Sequence, residues 1–150
     1  MIVENAFDVA APLDAVWPVL KDVPRVAACI PGAKLTDVVD DRTYRADVVV
    51  KAGPVNVQYR ATIVVDAIDE AAHQAVLRVD AREKSGRGGV KATVTSTASA
   101  HDGGTHVALR TDAQISGIVA TVGGRLIEGI ASRTVAAFAE NLSRDVLGTS

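Results

Sequence analysis

The sequence predicts an α+β fold in which a curved, seven-stranded antiparallel sheet wraps a long C-terminal helix. Three observations carry this prediction. The stretch from Gly117 to Leu147 repeats large apolar residues at helical spacing (Val119, Val122, Leu126, Ile127, Ile130, Phe138, Leu142, Val146), with Arg125, Glu128, Arg133, Glu140 and Arg144 on the opposite side. From Ala33 up to that stretch, apolar and polar residues alternate between short turn signals. Ahead of Ala33, one alternating strand is followed by two short helical segments bounded by prolines.

Taken in order, Ile2–Val9 forms the first strand, with Val3, Phe7 and Val9 on one face. Pro12 suits the first position of a helix and Asp14 its first turn. Pro18 removes a ladder hydrogen bond, so the helix Leu13–Lys21 is short or kinked. Trp17, the only tryptophan, is placed to pack this helix onto the rest. A second short helix near Arg25–Cys29 ends at Ile30-Pro31-Gly32. Hairpins follow, with two-residue loops expected at Asp40-Asp41, Gly53-Pro54 and Gly103-Gly104. Pairing about Gly53-Pro54 sets Val50 opposite Val57, Val48 opposite Tyr59, Ala46 opposite Ala61 and Tyr44 opposite Ile63, all on one face. Pairing about Gly103-Gly104 sets Ala100 opposite Val107, Ala98 opposite Leu109, Ser96 opposite Thr111 and Val94 opposite Ala113. A strand from Gln74 to Arg82 turns Ala75, Leu77, Val79 and Ala81 inward. The last helix, taken as continuous from Gly117, would run roughly 45 Å. Gly123, Gly124 and Gly129 each cost it about 1 kcal/mol relative to alanine. Close packing on the sheet and a pliant turn beside an entrance both account for them. The β-αα-β₆-α order is the helix-grip arrangement.

Composition narrows the function. A length of 150 residues fits a single domain with its own core. A net charge of −2 offers no basic surface for nucleic acid. Neither a signal peptide nor an apolar run of bilayer length is present, which points to a soluble, cytoplasmic protein. The single Cys29 excludes an internal disulfide and fits a reducing compartment. Apolar residues make up 48% of the chain but aromatics only 3%, so alanine and valine do the hydrophobic work. Small side chains either draw layers together or leave a space between them.

The space is the sharper reading. The inner face carries Ala46, Ala52, Ala61, Ala81, Ala92, Ala98 and Ala113. A void of about 300 Å³ left empty would cost about 7 kcal/mol, comparable with the stability of a whole domain. An apolar ligand resolves that cost; a flatter sheet with a collapsed, alanine-packed core is the alternative. The expected lining is Trp17, Tyr44, Val48, Tyr59, Ala61, Ile63, Leu77, Val79 and Val94 with Leu109, Gly123, Leu126, Ile127 and Ile130. Ser96 and Thr111 form the one inward polar pair, bonding each other, a water, or a ligand carbonyl.

Catalytic constellations are absent. His73 reads as a solvated loop residue. His101 and His106 are expected to face each other on the outer side of the last hairpin, a poor metal site without an inward carboxylate. Cys29 reads as a small buried hydrophobe. Ser85-Gly86-Arg87-Gly88-Gly89 lacks the Gly-Lys-Ser/Thr ending of a phosphate loop and opens a strand, so it reads as a hairpin loop.

Several motifs carry a resemblance. Phe7-x-Val9-x-x-Pro12-x-x-x-Val16-Trp17-x-x-Leu20-x-Asp22 looks like the opening of polyketide-cyclase/START-like (SRPBCC) domains. Cys29-Ile30-Pro31-Gly32-Ala33, Lys51-Ala52-Gly53-Pro54-Val55 and the run from Gly117 to Ile127 narrow this to the carbon monoxide dehydrogenase G-subunit family. The resemblance spans the chain from the first strand to the long helix. It implies a helix-grip fold (START/Bet v 1-like) with a hydrophobic cavity. It also implies association with a carbon monoxide dehydrogenase or related molybdenum hydroxylase, as an accessory or membrane-recruitment factor making peripheral contact at the inner face of the membrane. Family members often extend beyond the domain; this sequence ends at Ser150, so either direct membrane anchoring is in doubt for these residues or they are a trimmed part of a longer chain. Such a dehydrogenase must pass electrons to a lipid-dissolved carrier, so the expected ligand is a quinone, menaquinone or ubiquinone. Two other readings stay open: a START-like cyclase or hydratase, and a structural adaptor that binds nothing.

Overall fold

The structure, a computed structural model, describes residues 1–148, with Ala52 and Val55 described by their backbone alone. Ala52, expected on the inner face, therefore lies outside the described side chains. The strands are β1 (Ile2–Val9), β2 (Ala33–Val38), β3 (Thr43–Ala52), β4 (Val55–Asp69), β5 (Gln74–Glu83), β6 (Gly89–His101) and β7 (Gly104–Ile115). They form one seven-stranded antiparallel sheet in the order β1-β7-β6-β5-β4-β3-β2. Helices α1 (Leu13–Leu20) and α2 (Val23–Ala28) follow β1, and α3 (Gly124–Leu147) closes the chain. This is the helix-grip order that the sequence predicts.

Local chemistry explains the short helices. Pro12 caps α1 from an extended conformation, one residue ahead of its expected place. The Asp22 carboxylate accepts from the Arg25 backbone N–H at 3.3 Å and starts α2, with Pro24 in the first turn where no donor is needed.

The β3–β4 hairpin pairs as expected, with Val48 opposite Tyr59 and Ala46 opposite Ala61. The β6–β7 hairpin does not. Its turn is Asp102-Gly103, both in the left-handed region (φ 49° and 78°), because that geometry suits a two-residue hairpin and Asp-Gly supplies it. Pairing therefore moves by two residues: Ser96 faces Leu109, Ala98 faces Val107, and Val94 faces Thr111. A shift of two preserves every face. The β2–β3 connection is also longer than expected. Val39 N–H donates to Thr43 C=O at 2.9 Å, and the Asp40 carboxylate holds Arg42 N–H at 2.9 Å, so the loop is Asp40-Asp41-Arg42.

The final helix starts later than its apolar spacing predicts. Gly117 and Gly123 both have positive φ (86° and 91°), which breaks the helical path twice. Val119–Val122 form a separate 3₁₀ turn between them. Gly117 is required where it stands, since a Cβ there would overlap the Arg87 carbonyl of the β5–β6 loop.

Candidate ligand-binding site

The inner face of the sheet packs against its helices in two separate clusters. At one end, α1, α2 and the last turns of α3 close over Val9, Ala75, Ala98 and Val107. Val16, Val19, Val107 and Leu142 are fully buried there. Phe7 and Phe138 meet edge to face at 5.9 Å. At the other end, the 3₁₀ turn and the first turns of α3 cover Val57, Tyr59, Ala61 and Ala81. Here Val48, Ile63, Val79, Ile127 and Ile130 are only half-buried.

Helix α3 shows the same division. Phe138 and Leu142 are its only buried residues among those described, and both lie in its second half. Asn141 donates to the Cys29 carbonyl at 3.0 Å, and Arg25 pairs with Asp145 at 3.0 Å. Among the described residues, no side-chain hydrogen bond or ion pair joins the first half of α3 to the sheet. The first half of the helix therefore rests on the sheet through partly covered apolar side chains alone.

The expected lining residues divide accordingly. Tyr59, Ala61, Ile63, Val79, Val48, Ile127 and Ile130 come together under the first half of α3. Trp17 and Leu109 belong to the closed end. The Trp17 indole N–H donates to the Glu70 carboxylate at 3.1 Å, and its ring meets His73 edge to face at 5.5 Å. His73 is thus half-buried against tryptophan rather than solvated. Leu126 points to the β3–β4 turn, lying 3.9 Å from where a Cβ on Gly53 would be. Gly123 is exposed at the foot of α3, and the Tyr44 hydroxyl donates to the Asp41 carbonyl at 3.2 Å, toward a loop. Between the two clusters runs a row of Thr111, Val94 and Leu77, all half-buried.

Polar groups punctuate this interior. Ser96 is buried and Thr111 half-buried, but they are diagonal rather than opposite, and no hydrogen bond joins them. Asn5, absent from the expected lining, shares their face and sits opposite Leu109, which separates it from Ser96 on the far side of β7. The side chains of Asn5, Ser96 and Thr111 have no protein partner among the described residues. Glu83 is a second unexpected inward group. Strand β5 runs one residue past its expected end, and that residue points inward, opposite Tyr59. Its carboxylate accepts from the backbone N–H and hydroxyl of Ser85, which hold it below the usual carboxylate range. The Tyr59 phenol is pushed up by burial and by the Glu83 charge. Tyr59 is 3% exposed and makes no hydrogen bond among the described residues, yet no fully buried side-chain oxygen there is left unpartnered, so its hydroxyl reaches accessible space. The signal for Glu83 is its alternation with Leu77, Val79 and Ala81.

The outer imidazoles also differ from expectation. His106 stands opposite Ser99, with its ring 6.3 Å from that of His101 and its Nδ1 2.8 Å from Asp8. Cavities of about 1290 and 490 Å³ open on the outer face of the sheet and beside the β5–β6 loop, neither of them under α3. Among the described residues, no helix is long and apolar enough to cross a membrane.

Known proteins share this architecture. The fold is similar to that of a conserved protein from Geobacillus kaustophilus, with a TM-score of 0.86 at 23% identity, covering 99% of this chain and 97% of that one. It is similar to the Zhui aromatase/cyclase from Streptomyces sp. R1128, with a TM-score of 0.68 at 17% identity over 98% and 93% of the two chains. A START superfamily protein from Mycobacterium smegmatis aligns with a TM-score of 0.65 at 15% identity over 99% of each. At these identities the likeness is one of fold alone. No curated protein is a match in sequence. The family model for the carbon monoxide dehydrogenase G-subunit (CoxG) matches residues 6–147. With nearly the whole chain matched, this protein belongs to the CoxG family of carbon monoxide dehydrogenase G-subunits.

Proposed function

We propose that this chain is a non-catalytic binding protein for a lipophilic molecule, a tailed quinone, in the service of a carbon monoxide dehydrogenase-type molybdenum hydroxylase. The observation that carries the reading is the first half of α3. Its apolar residues stay half-buried above an alanine-faced sheet, while the second half buries Phe138 and Leu142 outright. A quinone supplies the redox chemistry by which such a dehydrogenase reaches a respiratory chain in the lipid. Its tail costs about 0.8 kcal/mol per exposed CH₂ in water, so it needs a shield to leave the membrane. Val48, Ile63, Val79, Ile127 and Ile130 would hold the tail. Ser96, Thr111, Asn5 or the Tyr59 hydroxyl would hold the ring carbonyls, since each lacks a protein partner among the described residues. The chain would work from the cytoplasm, with peripheral contact at the inner face of the membrane, and recruitment of the dehydrogenase there is compatible with carrying its electron acceptor.

The test is purification from a quinone-containing background, extraction and mass spectrometry, followed by titration of the ligand-free protein with a tailed quinone. Co-purification and binding at micromolar concentration are expected. If fatty acids or phospholipids bind and quinone does not, the carrier reading falls. A second reading, a cyclase- or hydratase-type enzyme, is favoured by one observation: Tyr59 and Glu83 stand opposite each other at the less packed end, and the Tyr59 phenol is raised in part by the Glu83 charge. Turnover of a candidate substrate that Glu83→Gln abolishes would decide for it.

A further inference from the structure

The groove of about 1290 Å³ on the outer face of the sheet has no part in holding a lipophilic ligand. Its floor is charged. Arg60 on β4 and Arg82 on β5 stand directly opposite each other, both exposed. Directly opposed cross-strand residues have Cβ atoms about 4.5–5.5 Å apart, and like charges there repel. The carboxylate best placed to relieve them is Asp47, opposite Arg60 on β3, but it pairs with Lys84 at 3.6 Å. Arg78 is likewise taken, by Asp66 at 3.1 Å. All four of Arg45, Arg60, Arg82 and Lys91 line the groove and form no ion pair among the described residues. Arg45 stands opposite Asp37 and Lys91 opposite Asp80, whereas Arg60 and Arg82 face each other.

A sheet does not gain from placing two guanidinium groups face to face without a counter-charge. We infer that the groove is a docking surface for an acidic protein segment, with a carboxylate of the partner seated between Arg60 and Arg82. The planar, forked guanidinium matches a carboxylate in bidentate geometry, and two of them flanking one position define a specific seat. A lipid surface fits less well. The site is concave, and Asp37, Asp80 and Asp112 in the same groove, also without ion pairs among the described residues, would be repelled by a uniformly anionic surface. A protein segment can place its acids at the arginines and its bases at these aspartates. The inference does not depend on what the interior holds.

The experiment titrates the full chain with a soluble peptide carrying spaced glutamates with lysines between them and, in parallel, with anionic phospholipid vesicles and inorganic phosphate. The peptide is expected to bind, more weakly as salt rises. The double variant Arg60→Glu/Arg82→Glu should lose about tenfold or more in affinity, while Arg110→Glu elsewhere on the outer face should not. Arg60→Gln supplies a check on folding. Removing one of two opposed charges should leave the melting temperature unchanged or higher while weakening peptide binding. Absence of peptide binding overturns the proposal. So does vesicle or phosphate binding that depends on the two arginines while the peptide is ignored. A lower melting temperature in Arg60→Gln with peptide binding retained would make the arginines structural and overturn it as well.

Discussion

The two ends of the interior are built from the same sheet and the same helix, yet they are held differently. At the closed end, three helices converge and polar ties fasten them: Asn141 to the Cys29 carbonyl, Arg25 to Asp145, Thr105 to the Ala11 carbonyl, and Trp17 with Lys21 to Glu70. At the other end, only a 3₁₀ turn, through buried Val119, and the first turns of α3, through half-buried aliphatic residues, cover the strands. Each additional element removes apolar surface from water and each tie limits sliding, so the closed end should carry most of the stability. The other end keeps surface that a ligand can cover. One helix thus serves as a pillar in its second half and as a cover in its first.

The sharpest way to break this comparison is to cut an equivalent side chain at each end. Leu142→Ala should cost about 2–5 kcal/mol in denaturant unfolding, because Leu142 is fully buried. Ile127→Ala should cost about 1 kcal/mol, because its side chain is only half-buried. Equal losses would mean that the two ends are packed alike.

Filling space probes the same difference from the other side. Ala98→Trp, at the closed end, should cost more than about 3 kcal/mol, since Ala98 is 2% exposed within a cluster of buried side chains. Ala61→Trp should cost about 1 kcal/mol and lower the affinity for a tailed quinone about tenfold or more. Severe unfolding of Ala61→Trp would show a tightly filled core under α3.

Smaller effects are expected from the polar groups between the clusters. Ser96→Ala and Thr111→Val should each weaken quinone binding about three- to tenfold, the worth of one neutral hydrogen bond, with stability changed by about 0.5 kcal/mol or less. Unchanged affinity in both would leave Asn5 or Tyr59 as the anchor.

The smallest effect concerns pH at the closed end. The Lys21 ammonium, aided by the Trp17 indole N–H, holds the Glu70 carboxyl below its ordinary value. A group whose pKa is lowered on folding contributes stability above its unfolded pKa and loses it as the pH falls through the folded value. Thermal melts of Glu70→Gln should therefore lie slightly below those of the parent near neutrality and converge with them in acid. A gap that does not change with pH would remove the ion pair from the account.

Much of this is legible in the residues themselves. Alternation has a period of two, so it assigns faces without knowing partners. That is why it turns Ala46, Ala61, Ala81, Ala98 and Ala113 inward, where all five are buried. Gly53-Pro54 defines one hairpin because it is the only turn signal between its strands. At 102–104 two turns are available, Asp102-Gly103 and Gly103-Gly104, and both keep the same faces, so alternation cannot choose between them. Backbone dihedrals choose. Helical spacing likewise runs unbroken across Gly123, and only its positive φ separates the 3₁₀ turn from α3.

What the sequence determined by itself, then, was whatever depends on neighbours in the chain: strand faces, helix stripes, and family membership through its motifs. Tertiary structure alone decided what depends on distant segments meeting. The connection from β4 to β5 carries no turn signal that sets a register, so the opposition of Arg60 to Arg82, and of Tyr59 to Glu83, emerged only when the strands paired. The division of the interior arose in the same way, because α1, α2 and the end of α3 converge on one end of the sheet and nothing comparable covers the other. A side chain's own chemistry can be read locally, but its burial depends on how many other elements reach it.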